Sequence, residues 1–113
     1  MVIGGTQSTP RDSLSLELRR GALVLAVLVE LRQEEYGYSL KKLLSEKGLD
    51  IDEGTLYPLL RRLESQGLLK SAWRVEDSRP RRYYQASARG EALAKELAAE
   101  WRTLAGVIGK LIG

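Results

Sequence analysis

Residues 53–87, EGTLYPLLRRLESQGLLKSAWRVEDSRPRRYYQAS, hold a helical pattern followed at once by a two-stranded one, and that pair decides the fold. Leu56, Leu59, Leu60 and Leu63 fall at i, i+3, i+4 and i+7, the stripe of an amphipathic helix over about Glu53–Gln66. Asp52 is a good N-cap, Glu53 suits the positive end of the helix dipole, and Gly67 ends the element. Pro58 is the anomaly, because a proline inside a helix deletes a hydrogen bond and can cost about 3 kcal/mol. Either it lies early enough to be tolerated, or the regular helix starts later. Leu68 to Val75 then reads as a strand, Glu76 to Pro80 as a turn, and Arg81 to Ser87 as a second strand. Alternation places Tyr84 and Ala86 on one face and Tyr83 and Gln85 on the other.

Upstream, Leu14 to about Gln33 is helical, with Ser13 or Ser15 as cap and Glu17 in the first turn. Between Ala22 and Val29 every face is apolar, the mark of a helix covered on all sides, which hints at a partner chain. A break at Tyr36-Gly37-Tyr38 precedes a short helix over Ser39–Lys47, stopped by Gly48. Downstream, Ser87 caps a last helix over about Ala88–Ile112. There Leu97, Trp101, Leu104, Ile108 and Leu111 repeat at spacings of 4, 3, 4 and 3, an a/d seam. At 1.5 Å per residue this helix is roughly 37 Å long, more than one small domain covers. The seam is a dimerisation signal, with packing on the first helix of the same chain as the alternative. The expected interface residues are Leu18, Val24, Leu97, Trp101, Leu104, Ile108 and Leu111. The organisation is then a flexible, Gly/Ser/Thr/Pro-rich arm over 1–13, a core domain over 14–87 and a dimerisation helix over 88–113.

Composition excludes whole classes of chemistry. The 113 residues include no Cys and no His, so the usual zinc ligands and the Ser-His-Asp and Cys-His arrangements are gone. No catalytic constellation, metal site or cofactor is expected, and binding is favoured over catalysis. The longest apolar run, Gly21 to Val29, is too short for the roughly twenty residues of a membrane span. No signal peptide is recognisable either, and a cytoplasmic protein is expected. Residues 1–53 carry 7 basic and 9 acidic side chains, whereas residues 54–90 carry 8 and 3, and residues 91–113 carry 3 of each. The excess positive charge is therefore confined to the central helix and hairpin, the electrostatic footprint of a polyanion partner.

The order helix, short helix, helix, hairpin, long helix is that of a mainly α winged helix-turn-helix with one small β-hairpin. Its third helix fits the major groove of double-stranded DNA, and its basic hairpin, or wing, fits the backbone. Opposite the leucine stripe lie Thr55, Tyr57 and Pro58, suited to base edges, and Arg61 and Arg62, suited to phosphates. Tyr57 could instead be a packing residue. In the wing, Arg79, Pro80, Arg81 and Arg82 are candidates for phosphate or minor-groove contact, or else a solubilising turn on an edge strand.

The sequence YGYSL over 36–40, GTLYPLLRRLESQGLL over 54–69 and RPRRYY over 79–84 resembles the PadR family of transcriptional regulators across residues 14–112. The single C-terminal helix resembles the short branch of that family. The resemblance implies a homodimer that represses promoters and is often responsive to small molecules; a dimeric reader of this kind is expected to bind a pseudo-palindromic operator. By position, Tyr38, Thr55, Tyr57, Pro58 and Arg61 match the family's DNA-facing residues, and Arg79 to Arg82 match its wing. Ser78 stands where a wing glycine is common, and Ala86 where a larger residue closes the strand. Trp101 on the seam would approach its symmetry mate. With Leu97 it would form either plain dimer core or a slot for a small planar aromatic effector. The competing reading is a winged-helix protein-interaction module without sequence-specific DNA binding.

Overall fold

The computed structural model describes residues 9–113, which form four helices and three strands. Helix α1 spans Pro10–Glu30, strand β1 Glu35–Tyr36, α2 Gly37–Glu46 and α3 Glu53–Ser65. Strands β2 (Leu69–Glu76) and β3 (Arg79–Ala86) make the hairpin, and α4 runs over Ala88–Ile112. This is the mainly α winged-helix architecture with a long C-terminal helix that the patterning implied.

Helix α1 starts four residues before the expected Leu14. Thr9 accepts the Asp12 N–H on its hydroxyl at 3.1 Å, and Pro10 occupies the first turn, where no amide partner is needed. Ser13 and Ser15 are thus internal, and residues 10–13 of the expected arm are helical; residues 1–8 of it lie outside the described residues. The helix stops at Glu30 rather than Gln33. The expected break at 36–38 is shorter too, because Ser39 accepts the Tyr36 N–H at 3.1 Å and so starts α2 at Gly37.

Strand β1 has only two residues, too few for alternation to reveal. It pairs with β3 in the register Glu35↔Tyr84 and Tyr36↔Tyr83, giving an antiparallel sheet of order β1-β3-β2. The hairpin runs from Leu69↔Ala86 to Glu76↔Arg79, so its turn is only Asp77-Ser78, not the five residues expected. Both adopt left-handed backbone, with φ of 50° and 63°, as a two-residue hairpin turn requires. Without glycine each costs about 1–2 kcal/mol. Pro80 is absorbed into β3 opposite Val75. As the alternation indicates, Tyr84 and Ala86 are buried.

One core joins these elements: Leu23, Val27, Leu28 and Leu31 from α1, Leu40 and Leu44 from α2, Leu56, Leu60 and Leu63 from α3, and Leu69, Tyr84, Ala86 and Ala94. Pro58 stays inside α3, exposed on its outer side. Ser87 ties the hairpin to α4: its hydroxyl donates to the Gly67 carbonyl at 2.6 Å and accepts the Gly90 N–H at 3.1 Å. Gly90 lets α4 press on the backbone of Leu68, whose carbonyl a Cβ there would overlap. Beyond Ala98 every residue of α4 is exposed, and so is α1 from Pro10 to Gly21. Those exposed turns are not polar: Trp101, Leu104, Ile108 and Leu111 lie on α4, and Leu14, Leu16 and Leu18 on α1.

Gly90→Ala should therefore destabilise the chain by about 1–3 kcal/mol, the usual cost of overpacking, despite the better helix propensity of alanine. Urea denaturation measures this. An unchanged or raised midpoint would show that α4 does not seat on Leu68 as described.

Candidate nucleic-acid interface

Helix α3 is gripped along one side by Leu56, Leu60 and Leu63, so its opposite arc must face outward. Residues 54, 55, 57, 58, 61 and 62 fall on that arc, and two hollows flank it. The larger, of about 610 Å³, lies between α3, the start of α2 and the wing. Tyr57 and Arg61 line it from α3, Tyr38 from α2, and Trp73, Arg79, Arg81 and Arg82 from the wing. The smaller, of about 330 Å³, puts Thr55, Pro58 and Arg62 beside Leu16, Arg20 and Val24 of α1. The structure therefore brings the expected helix residues onto one outward arc but divides them between its two flanks.

Individual side chains are more constrained than the sequence suggests. The Tyr57 ring sits where a Cβ on Gly37 would be, so this residue packs α3 on α2 as well as lining the concavity. Burial, then the nearby Glu53 carboxylate, holds its phenol above the ordinary value. At neutral pH the hydroxyl is thus protonated and can both donate and accept. Thr55 donates its hydroxyl to Asp52 Oδ1 at 2.8 Å, and Asp52 caps through position without a side-chain bond to the helix amides.

The wing arginines divide sharply. Arg81 pairs with Glu76 at 3.2 Å and lies 4.7 Å from the centre of the Tyr36 ring. Tyr83 donates to the same Glu76 oxygen, which holds that carboxyl below the usual carboxylate range. Arg74 pairs with Glu34 at 2.6 Å and stacks over Tyr83 at 4.4 Å. Arg82 pairs with Glu64 at 2.7 Å. Arg61, Arg62 and Arg79 have no ion pair among the described residues and are exposed. Sequence reading missed Trp73, Tyr36 and the acidic partners. Register alone could have placed Trp73, which stands opposite Arg82, but nothing local announces the pairs across elements.

A third hollow, of about 690 Å³, is the most apolar. Leu18, Gly21 and Leu25 of α1 and Leu97, Trp101, Leu104 and Ile108 of α4 line it. Five of the seven expected interface residues, among them both expected effector-pocket residues, meet here. Leu111 is exposed near the end of the same helix, whereas Val24 packs on the core on the α3 side.

The family model described as the transcriptional regulator PadR-like family matches residues 24–96. The transcriptional regulator Rv3488 of Mycobacterium tuberculosis is 43% identical over 81 residues, 71% of this chain and 76% of that protein. The crystal structure of a PadR family transcriptional regulator from Eggerthella lenta superposes with a TM-score of 0.82 at 50% identity, covering 88% of this chain and 89% of that one. A PadR-like transcription factor from Bacteroides fragilis superposes at 0.74 with 32% identity, covering 88% and 99%. By this kinship, the chain belongs to the PadR-like family of transcriptional regulators and is not an enzyme.

Proposed function

We propose that the chain acts as a homodimeric repressor. In this reading α3 enters the major groove of a pseudo-palindromic operator in double-stranded DNA, and the wing follows the backbone. The carrying observation is that Arg61 of α3 and Arg79 of the wing, neither with an ion pair among the described residues, line one concavity together with Tyr38 and Tyr57. Such a surface offers cations to phosphates and amphipathic phenols to sugars or base edges. Thr55, Pro58 and Arg62 extend it along the other flank of α3. Arg81, held between Glu76 and Tyr36, contributes a positioned rather than a free charge.

Dimerisation is supported by the apolar turns of α1 and α4. A monomer would leave Trp101, Leu104, Ile108 and Leu111 about half or more in water, a contiguous apolar patch that soluble monomers avoid. A second copy seated on Leu18, Leu97, Trp101, Leu104, Ile108 and Leu111 covers it. The two Trp101 rings then flank the interface, and a small planar aromatic effector binds between them beside Leu97. By favouring one separation of the two α3 helices, it shifts the population that fits DNA. The proposed place of action is the cytoplasm; no described helix is long and apolar enough to cross a membrane.

Replacing Arg61 and Arg79 together by Ala should weaken binding to a mixed-sequence duplex. It should also lower the slope of log affinity against log salt by about 3 to 4 per dimer, at roughly 0.9 per phosphate contact. Parental affinity and slope in a filter-binding titration would contradict the surface, and salt-independent affinity of the parent would favour a protein-interaction module. In sedimentation equilibrium the parent should run at twice its 12.6 kDa chain mass and Ile108→Glu at the chain mass. A monomeric parent overturns the dimer. With Trp73 replaced by Phe, planar aromatics should quench Trp101 fluorescence, and a panel without effect would leave it a plain interface residue.

A further inference from the structure

Glu64 is out of place by every local rule. It sits in the last turn of α3, where the helix dipole disfavours a negative charge. It is also the one acid between Gly54 and Val75, inside the most basic segment of the chain. A residue that breaks local preference without local compensation marks a constraint set elsewhere.

The structure supplies that constraint. Glu64 Oε1 accepts from Arg82 Nη2 of β3 at 2.7 Å, and Glu64 Oε2 accepts the Ser71 hydroxyl of β2 at 2.6 Å. Arg82 Nε in turn donates to Ser71 Oγ at 3.0 Å, closing a ring of three side chains from three elements. Both carboxylate oxygens are used, and the Ser71 hydroxyl both donates and accepts. The guanidinium also lies 5.4 Å from the centre of the Tyr84 ring and 5.8 Å from that of Trp73. All three members are partly buried. An arginine gripped on two of its nitrogens by a carboxylate and a hydroxyl is spent: its charge is neutralised and its plane is fixed.

We propose that the Glu64–Ser71–Arg82 ring latches the wing to α3 at the angle at which both meet DNA, making Arg82 a positioning residue and not a phosphate contact. The inference rests on the DNA-binding reading above. A wing held in place before binding spares the ordering cost that a free hairpin would incur at that moment. Without the latch, β2 and β3 keep their ladder and their apolar seat on the core but lose the directional polar tie that sets their angle to α3. Arg79, at the wing tip, then no longer stands at a fixed distance from Arg61.

The test compares Arg82→Gln with Arg79→Gln, as full chains, on a mixed-sequence 30-base-pair duplex over a range of salt. Arg79→Gln should lower the log affinity–log salt slope by about 2 per dimer, one phosphate contact in each subunit. Arg82→Gln should weaken binding about fivefold to tenfold yet keep the parental slope, as lost preorganisation does. Residual dipolar couplings read the latch directly, without DNA. In Glu64→Gln and Arg82→Gln, couplings of the 69–86 amides should depart from the parental orientation while those of α3 keep it. A slope that falls in Arg82→Gln as it does in Arg79→Gln overturns the proposal. So do hairpin couplings that stay parental in both latch variants. If the parent binds duplex without salt dependence, the DNA reading itself fails, and the couplings still decide whether the latch exists.

Discussion

Leu56, Leu60 and Leu63 are each at most 1% exposed, and the remainder of the molecule is arranged around the helix they anchor. Burying a leucine fully is worth about 1.5–3 kcal/mol, so rotating α3 by even a fraction of a turn is costly. That fixed stripe alone determines that Tyr57, Pro58, Arg61 and Arg62 look outward. Leu28 and Leu31 of α1 and Leu40 of α2, buried in the same core, serve the same end. The fold is a clamp that presents one helix face.

Charge follows packing in this arrangement. The central segment carries five more basic than acidic side chains, but the structure does not offer them equally. Arg74, Arg81 and Arg82 are taken up by Glu34, Glu76 and Glu64, two of them also stacked within 5 Å of tyrosine rings. These pairs stiffen the sheet and tie it to its neighbours. Arg61, Arg62 and Arg79 have no ion pair among the described residues and stay exposed. A paired arginine and a free one have the same letter in the sequence and different physical roles.

That distinction marks the limit of what the sequence discloses. The elements were legible because periodicity is local: the leucine stripe of α3, the alternation that buries Tyr84 and Ala86, and the cap at Ser87 all act within a few residues. Helix α1 started earlier than its apolar pattern because Thr9 and Pro10 make a start signal outside that pattern. Strand β1 was invisible because two residues have no period, and it exists only through its pairing with β3. The hairpin turn proved tighter than composition indicates because Asp77 and Ser78 take left-handed backbone without a glycine to announce it. Of the residues expected to face DNA, the outward set on α3 was readable from the stripe. The pairing of Arg82 was not, since its partners stand 11 and 18 residues away.

The apolar turns of α1 and α4 and the cationic concavity lie on different parts of the chain, as the proposed dimeric reading requires. Amide chemical-shift mapping of the labelled protein with a mixed-sequence duplex separates the two surfaces in one experiment. The largest shifts should fall at Tyr38, along residues 54–62 and at the Asp77–Arg79 tip of the wing, with the groove around Trp101 and Leu104 little changed. Shifts centred on that groove, with α3 and the wing tip silent, would contradict it.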